Sequence, residues 1–372
     1  MDKELAKARE EIRGLDQNMA ELFLRRMDAV KKIAACKKTQ GLPVRDENYE
    51  EAAVKRNAEA IADPQQRACY EQFLRETMAV SRQYQHWLLE DMQVAYSGIE
   101  GAFAHIAAKH IFPDAQLSSF PSFEQAYDAV VSGACDCAVL PVENSYTGEV
   151  GQVTDLMFRG GLYVNGVYDL HISQNLLGCA GADPAGITTV ISHPQALQQC
   201  QPYIRRRGLR EINAVNTAIA AQTVAEKRDP HTAAIASMET ARLYGLQVLD
   251  HDINESRNNT TRFAVFSKVE SEAATAGEKT TYLMLFTVNN VAGALAKAIN
   301  AIGEHGFNMK VLRSRPMKTL PWEYYFYVEA EGDADSEAGR QMMEELSQQC
   351  AMLKVVGRYS TITAGISDEN RV

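Results

Sequence analysis

The stretch from residue 2 to about residue 40 most limits how this chain can fold, because it contains no proline and only one glycine, Gly14. Its apolar residues form two series with a seven-residue spacing: Leu5, Ile12 and Met19, and Ala8, Leu15 and Leu22. This spacing predicts a single helix with an apolar seam. A helix of about 55 Å, at about 1.5 Å per residue, cannot bury that seam by itself. The seam therefore needs a partner helix or a second copy of the chain.

Two further helices are predicted before residue 90. Gly41-Leu42-Pro43 ends the first helix, and a second helix runs from about Asp46 to about Ile61. Asp63-Pro64 is typical of an N-cap followed by proline at the first helical position. The third helix then extends to about Leu89. We therefore expect an all-α domain over residues 1–90.

The predicted apolar seam contains a cation. Continuing the heptad from Met19 places Arg26 in the seam, where a guanidinium is costly unless an anion meets it. Lys37 lies about 20° around the helix and about 16 Å along it, so both side chains could hold a ligand with two negative groups. Arg9 is about 25 Å from Arg26 and would reach that ligand only from a second subunit. The alternative is that Arg26 pairs with an internal carboxylate and Arg9 is solvated.

The charged residues of this region resemble those of the all-helical class of chorismate mutase. The matching residues, over about residues 5–90, are Arg9, Leu15-Asp16, Arg26, Lys37, Val44-Arg45-Asp46, Glu50 and Ser81-x-x-x-Gln85. The resemblance implies that Arg26, Arg45 and Arg9 of a partner chain bind substrate carboxylates. Tyr49 stands where relatives often carry an arginine, so a silent mutase is one alternative.

The same resemblance assigns roles to five other residues. Lys37 and Gln85 would donate hydrogen bonds to the breaking ether oxygen, and Glu50 would accept one from the ring hydroxyl. Asp46 and Ser81 would complete the pocket. The rearrangement of chorismate to prephenate needs no nucleophile and no proton transfer. The catalyst must hold a compact dicarboxylate and stabilise negative charge on the ether oxygen.

From Gln93 onward, apolar strands alternate with helical segments. This order predicts an α/β unit with mainly parallel strands, in two lobes with a cleft between them. The strands are expected at Val94–Ser97, Leu117–Phe120, Cys137–Val142, Tyr163–Leu177, Thr188–Ser192, Ile212–Val215, Ala233–Ala236, Gln247–Asp252 and Arg262–Lys268.

Polar residues follow several of these strands. The clearest case is Pro141–Gly148, which brings a carboxylate, an amide and hydroxyls between a buried strand and a helix. In α/β folds small molecules bind outside the carboxyl ends of strands, close to helix N-termini. Similar polar groups stand at Ser97, Ser192–Gln195, Asn216-Thr217 and Asn259–Phe263. Each could instead be a simple cap, and His193 could be a packed or capping histidine.

Taken together, these strand ends resemble prephenate dehydratase, a two-lobed α/β fold like that of periplasmic binding proteins. The motifs are Gly98-x-x-Gly101-x-Phe103-Ala104-His105-x-Ala107-Ala108, Pro141–Ser145, Ser192–Leu197, Leu243–Leu246 and Asn259-x-Thr261-Arg262-Phe263. His105 and His193 are substrate-binding candidates within them. Ala104 departs from the usual serine.

The dehydratase resemblance also suggests how the chemistry is shared. Prephenate loses CO2 and its ring hydroxyl, so a proton donor is needed near that hydroxyl. Thr261 is expected to be the donor or to position it, and Arg262 to grip a substrate carboxylate with two parallel bonds. Glu143, Asn144 and Ser145 would orient the substrate. No metal or organic cofactor is required.

The last ninety residues follow a polar linker at Ser271–Glu278 and are predicted to fold as βαββαβ, a ferredoxin-like α+β order. They resemble the ACT domain, an amino-acid-sensing module. The resemblance implies L-phenylalanine as effector, bound by Gly293, Ala294, Leu295, Asn308, Ser314 and Arg315. Ala292 and Arg313 depart from the usual proline and glutamate. A dimerisation module that senses nothing is the alternative.

Composition excludes several classes of function. The net charge of −10 argues against nucleic acid as the main partner. Seven cysteines without a CxxC or a histidine cluster indicate reduced thiols, a cytoplasmic protein and no structural metal. No apolar run reaches membrane-spanning length, so no membrane partner is expected. GxGxxG and GxxxxGK[ST] are missing, which argues against a bound dinucleotide or a P-loop nucleotide.

We therefore predict three domains, over residues 1–90, 92–268 and 280–359. Together they would convert chorismate through prephenate to phenylpyruvate under feedback by L-phenylalanine, in a homo-oligomer of at least two chains. Two alternatives remain: a dehydratase with an inactive mutase domain, and a non-catalytic amino-acid-sensing binding protein.

Overall fold

The structure is a computed structural model that describes residues 2–40, 47–89, 92–113, 115–256, 258–270, 280–318, 320, 322–333 and 336–359. The chain divides into two compact units. The first comprises residues 1–93 with 114–116, and the second comprises residues 94–113 and 117–372. None of the helices within the described ranges has the length and apolar character needed to cross a membrane.

The first unit consists of three helices: α1 (Asp2–Gln40), α2 (Glu47–Ala58) and α3 (Pro64–Leu89). Both α1 and α2 pack on α3. Val30 and Ala34 of α1 are buried in this core. The Asp63 carboxylate accepts a hydrogen bond from Gln66 N at 2.8 Å, which caps the start of α3. The predicted cap and proline at the first turn of α3 are confirmed.

The first half of α1 does not pack within its own chain. Its side chains from residue 3 to residue 25 are all exposed. The larger apolar residues of the predicted seam are between 48% and 59% exposed: Leu5, Ile12, Leu15, Met19 and Leu22. Among the described residues no helix of the same chain covers this seam, so one chain leaves it open to solvent.

The second unit begins with a lobe built on a six-stranded sheet. Its strand order is β2-β1-β3-β11-β5, and the short β4 pairs with β3. The lobe's elements are β1 (Gln93–Ser97), α4 (Phe103–Ile111), β2 (Gln116–Phe120), α5 (Phe123–Val131), β3 (Cys137–Asn144), β4 (Gly148–Glu149), α6 (Gly151–Arg159), β5 (Tyr163–His171) and β11 (Thr260–Ser267).

The second lobe holds a five-stranded sheet of order β10-β6-β9-β7-β8. Its elements are β6 (Asn175–Gly178), a short 3-10 turn (Pro184–Gly186), β7 (Thr189–Ser192), α7 (Pro194–Gln199), α8 (Gln201–Arg207), β8 (Arg210–Asn213), α9 (Thr217–Lys227), β9 (Thr232–Ala236), α10 (Met238–Tyr244) and β10 (Gln247–Asp250). The chain enters this lobe after β5 and returns to the first lobe as β11.

Two sequence predictions about these sheets are wrong. The single strand expected over Tyr163–Leu177 is two strands in different sheets, because the chain crosses between the lobes at residues 172–174. The sheets are also not mainly parallel. The returning β11 runs antiparallel to both β3 and β5, and β6 runs antiparallel to both β9 and β10. Apolar periodicity reports burial and does not report strand direction.

The C-terminal part of the second unit has the predicted βαββαβ order. Its elements are β12 (Thr280–Thr287), α11 (Ala294–Glu304), β13 (Asn308–Pro316), β14 (Tyr324–Gly332), α12 (Glu337–Gln349) and β15 (Met352–Tyr359). They form an antiparallel sheet of order β13-β14-β12-β15. We call it the C-terminal sheet. Helices α11 and α12 cover one face of it, where Ile302 and Leu346 share a core with Met284 of β12. The other face joins the core of the first lobe through Leu285 and Tyr325.

Gly357 of β15 packs closely against the backbone of Val164 in β5. A Cβ there would overlap the backbone carbonyl of Val164. A backbone group within a strand cannot rotate away as the end of a flexible side chain can. We expect Gly357→Ala to destabilise the second unit by about 1–3 kcal/mol through overpacking. The measurement is the midpoint of urea unfolding. Gly303→Ala is the matched control, since its Cβ would meet open space in a helix. Equal midpoints for Gly357→Ala and the parent would contradict the prediction.

Candidate active sites

A cleft of about 340 Å³ lies between the two lobes of the second unit. Polar side chains enter it from the ends of β1, β3 and β11 in the first lobe, and from α7 and α9 in the second. The polar lining residues are Ser97, Asn144, Thr147, Gln174, His193, Gln195, Gln199, Asn216, Thr217 and Thr261. Apolar walls come from residues such as Phe103, Phe123 and Phe263.

Asn144 and Thr261 meet at the centre of this lining. They are opposite each other on the paired strands β3 and β11, and Asn144 Nδ2 donates to Thr261 Oγ1 at 2.9 Å. The same amide group donates to Asn259 Oδ1 at 2.9 Å. Asn259 in turn donates to Gln199 Oε1 at 3.0 Å. A chain of amides thus runs behind the threonine hydroxyl.

The orientation of the Asn144 amide is set by the backbone. Its Oδ1 accepts from Tyr146 N and Thr147 N, both at 3.0 Å, so Nδ2 must point toward Thr261. Since Thr261 Oγ1 accepts a hydrogen bond, its own hydrogen remains available to a ligand in the cleft. Asn144, at the end of β3, therefore orients the Thr261 hydroxyl as a donor toward the cleft.

Three glutamines line the cleft. The sequence analysis named Gln195 among the polar residues at strand ends but did not single out Gln174 or Gln199. Gln195 Nε2 donates to Thr147 Oγ1 at 3.0 Å and so links the two lobes. Gln199 follows Gln195 by four residues, and this helical spacing was the available signal. Gln174 lies at the crossing between the lobes. Its Oε1 is buried and accepts no hydrogen bond from any described residue.

The two candidate histidines have different settings. His193 lines the cleft, and its Nδ1 caps α7 by accepting from Gln195 N at 3.2 Å. His105 Nδ1 accepts from Gly101 N at 3.3 Å, and its ring lies 5.1 Å from that of Tyr96. Burial lowers the pKa of both imidazoles. His105 therefore holds a turn, whereas His193 can reach a ligand through Nε2.

Glu143, Ser145 and Arg262 do not line the cleft, contrary to the sequence prediction. Side chains alternate along a strand, so the neighbours of Asn144 and Thr261 face the other side of the sheet. Arg262 donates to both Asp169 carboxylate oxygens at 2.8 and 3.0 Å, which raises its pKa. Glu143 pairs with Arg313 of the C-terminal sheet. Ser145 Oγ accepts from Thr260 N at 2.9 Å.

The described cleft lining contains no Arg, Lys, Asp or Glu side chain. Positive potential comes instead from helix N-termini. Helix α4 begins after Ala102, which has no side chain able to cap it, so the first N–H groups of α4 stay open at the cleft. Helix α9 begins at Thr217, also in the lining.

A second candidate site lies in the first unit, around Arg26 of α1. Its guanidinium donates to Ser81 Oγ and, at 3.3 Å, to Thr77 O of α3. Among the described residues no carboxylate pairs with Arg26, and burial lowers its pKa. One turn further along α3, the buried Gln85 Oε1 also has no hydrogen-bond partner in the described part of the chain. Arg26 thus contacts Ser81 directly, and Gln85 lies one helical turn from Ser81 on α3.

Other predicted residues of the first unit are placed differently. The Glu50 carboxylate pairs with Arg82, a buried residue that the sequence reasoning missed. Arg9 is exposed on the unpacked half of α1. Arg45, Asp46 and the side chain of Lys37 lie outside what the structure describes.

Both units match models of known protein families. Residues 8–86 match chorismate mutase type II, and residues 94–271 match prephenate dehydratase. The chain is 35% identical over 273 residues to the bifunctional chorismate mutase/prephenate dehydratase of Neisseria gonorrhoeae, covering 73% of this chain and 75% of that protein. It is 30% identical over 367 residues to the bifunctional enzyme of Escherichia coli K12, covering 94% and 95%.

The chain belongs to the bifunctional chorismate mutase/prephenate dehydratase family. The bifunctional enzyme rearranges chorismate to prephenate and converts prephenate to phenylpyruvate, so the enzyme prediction is confirmed over that of a binding protein. The fold of its second unit is also found in a prephenate dehydratase of Arthrobacter aurescens solved with L-Phe. That structure has a TM-score of 0.67 and 23% identity, covering 72% of this chain and 90% of that chain.

The predicted effector residues of the bifunctional enzyme lie in two places on its C-terminal sheet and helix α11. Gly293, with φ of +82°, is the N-cap of α11, followed by Ala294 and Leu295. Asn308 and Ser314 are exposed on β13. Arg315 lies on the opposite face from Ser314, where its guanidinium reaches Asp155 at 3.2 Å and Glu149 at 3.4 Å in the first lobe. Arg315 therefore points away from Ser314, contrary to the prediction that both residues bind the effector.

Proposed function

We propose that the Thr261 hydroxyl, held by Asn144, assists departure of the ring hydroxyl of prephenate. The supporting observation is that Asn144 Nδ2 donates to Thr261 Oγ1. The hydroxyl hydrogen of Thr261 is therefore available to a ligand in the cleft. When the substrate carboxylate leaves as CO2, the electron pair of its C–C bond enters the ring and the C–O bond breaks. The departing hydroxide takes a proton from solvent and leaves as water, and the ring becomes aromatic. A hydrogen bond from Thr261 stabilises the charge on that oxygen.

The two substrate carboxylates would be bound at the starts of α4 and α9. Arg262 would not bind them, because its guanidinium pairs with Asp169 on the other face of the sheet. Helix N-termini carry a positive partial charge, and the start of α4 has no side-chain cap. At α9 the Asn216 side chain accepts from Ile219 N, so only the N–H groups before Ile219 would be available there. His193 and Gln195 would add hydrogen bonds from the second lobe, so that substrate draws the lobes together.

The mutase pocket would be formed around Arg26. Its guanidinium has no anionic partner in the described part of its own chain, so a substrate carboxylate would satisfy it. Gln85 would face the ether oxygen together with Lys37, while Ser81 would hold Arg26 in place. Glu50 would act beside Arg82 at the ring hydroxyl. Arg45 and Asp46 keep the roles that the family resemblance implies.

We also propose that two copies of α1 cover each other's apolar seam. The exposed leucines, isoleucine and methionine of the first half of α1 support this, since an isolated seam of that length is unfavourable in water. Pairing would bring Arg9 of one chain to the Arg26 pocket of its partner. The seven cysteines are all free thiols, which supports a cytoplasmic location.

The domain boundaries proposed are 1–90, 92–268 and 280–359, with the third an ACT domain that binds L-phenylalanine. The antiparallel βαββαβ sheet supports this assignment, as does the complex of the Arthrobacter aurescens dehydratase with L-Phe. Gly293–Leu295, Asn308 and Ser314 would form the effector site.

We expect L-phenylalanine to inhibit the dehydratase reaction, and Asn308→Ala to raise the concentration for half-inhibition by about tenfold through loss of a hydrogen bond to the ligand. Asn308 is exposed, so the substitution leaves the fold intact. The measurement is phenylpyruvate formation against L-phenylalanine concentration, with D-phenylalanine and Lys310→Ala on the same strand as controls. Absence of both inhibition and calorimetric binding would show a module that senses nothing.

Product analysis tests the proposed dehydratase site. Purified protein given chorismate should form prephenate and then phenylpyruvate. A protein without the Thr261 hydroxyl should accumulate prephenate instead. Formation of phenylpyruvate at the parental rate by that variant would contradict the proposed role of Thr261.

A further inference from the structure

The strand pair that carries Asn144 and Thr261 is held from behind by the C-terminal sheet. In the ladder between β3 and β11, Thr261 is opposite Asn144, and the next pair is Arg262 opposite Glu143. Because side chains alternate, the first pair faces the cleft and the second pair faces the C-terminal sheet. A displacement of Glu143 or Arg262 would therefore move the backbone next to Asn144 and Thr261, the residues proposed to contact the substrate.

Charged side chains of the C-terminal sheet meet both members of the second pair. Arg313 of β13 donates to the Glu143 carboxylate, and Glu329 of β14 lies 3.7 Å from Arg262. The Arg313 guanidinium also lies 5.6 Å from the centre of the Tyr327 ring. The Tyr327 hydroxyl donates to Glu329, which is only 3% exposed. Arg313, Tyr327 and Glu329 thus form one connected group beneath the active strands.

The two members of the pair depend on this group to different degrees. Arg262 is already held by two hydrogen bonds to Asp169 of its own sheet, so it does not need Glu329. Glu143 has no other cationic partner than Arg313 among the described residues. Its side chain is 29% exposed, so loss of Arg313 would leave a largely buried carboxylate without a counter-charge.

We propose that Arg313 is a positioning residue for the dehydratase reaction and acts through Glu143 on the hydrogen bond between Asn144 and Thr261. This inference rests on the role proposed for those two residues. Without Arg313, the Glu143 carboxylate turns toward water and shifts the backbone at the end of β3. Small displacements of a group that acts in the transition state lower kcat more than they raise KM.

A double-mutant cycle tests this coupling. Arg313→Gln is expected to lower the dehydratase kcat by about tenfold with KM changed by less than about twofold. In the Glu143→Gln background the same substitution should change kcat by less than about twofold, because the unpaired carboxylate is no longer present. Arg313→Lys, which keeps the cation, should recover most of the lost kcat. Parental kcat in Arg313→Gln, or losses that multiply in the double variant, would overturn the proposal.

Two further measurements separate a positioning role of Arg313 from a general disturbance of β13 and from failure of the proposed Thr261 site. Lys310→Gln removes an exposed cation of the same strand, paired with Glu331 at 2.6 Å, and should leave kcat unchanged. An equal loss in this control would show a general disturbance of β13 and overturn the proposal. If removal of the Thr261 hydroxyl leaves activity intact, the proposed site itself fails. If that removal abolishes activity while Arg313→Gln has no effect, only the positioning role fails.

Discussion

Thr261→Val is expected to lower the dehydratase kcat by about 10²- to 10³-fold, the usual effect of removing one donor that stabilises charge in the transition state. Valine has nearly the shape of threonine, so the packing of β11 is kept while the hydrogen bond from Asn144 and the donor toward the cleft are lost. The measurement is the steady-state rate of phenylpyruvate formation from prephenate. The chorismate mutase rate of the same polypeptide should not change.

Two substitutions provide the controls for Thr261. Thr261→Ser keeps the hydroxyl and should retain most of the activity. Thr260→Val changes the adjacent side chain, whose hydroxyl donates to Asn258 O at 3.4 Å, and should have little effect on kcat. A Thr261→Val protein that keeps more than about half of the parental rate would contradict a role in proton donation or charge stabilisation.

Arg26→Gln is expected to lower the chorismate mutase kcat/KM by about 10³-fold or more, because a charged bidentate contact to a carboxylate is lost in a partly buried site. Glutamine keeps a hydrogen-bond donor near Ser81 but carries no charge. The measurement is disappearance of chorismate, with the dehydratase rate on added prephenate as the internal reference. Arg25→Gln is the matched control, since Arg25 is the exposed neighbour on the same helix.

Subunit mixing separates a role for Arg9 in the partner's pocket from a role in its own. Arg9→Ala and Arg26→Ala chains should each lack mutase activity. After mixing and re-equilibration, half of the dimers would be mixed and each would hold one intact pocket. About a quarter of the parental activity should then return. No recovery in a mixture that is shown to exchange subunits would contradict a pocket shared between two α1 helices.

The all-α and ferredoxin-like parts could be predicted closely from the sequence. Helix α1 was expected over residues 2–40 and is Asp2–Gln40, since local periodicity and the absence of breakers determine a long helix. The βαββαβ order predicted for the C-terminal residues is also the order that the structure shows. The strand directions in the two lobes were not predicted correctly. They depend on which sheet a segment joins after the chain crosses between the lobes.

The composition of the dehydratase site was only partly predictable. Asn144 and Thr261 could be predicted as site residues because their motifs stand at strand ends, and the structure brings them within 2.9 Å of each other. Gln174 and Gln199 do not belong to a strand-end motif. Their place in the cleft results from packing between segments that are far apart in sequence.

By itself, the sequence determined which segments are helical or extended, and which strand ends carry hydroxyls and amides. These properties follow from neighbouring residues alone. Only the tertiary structure decided that Thr261 faces the cleft while Arg262 faces Asp169 and the C-terminal sheet. The physical reason is that alternation along a strand separates the two neighbours, and the sheet packed on each side decides which one can meet a substrate.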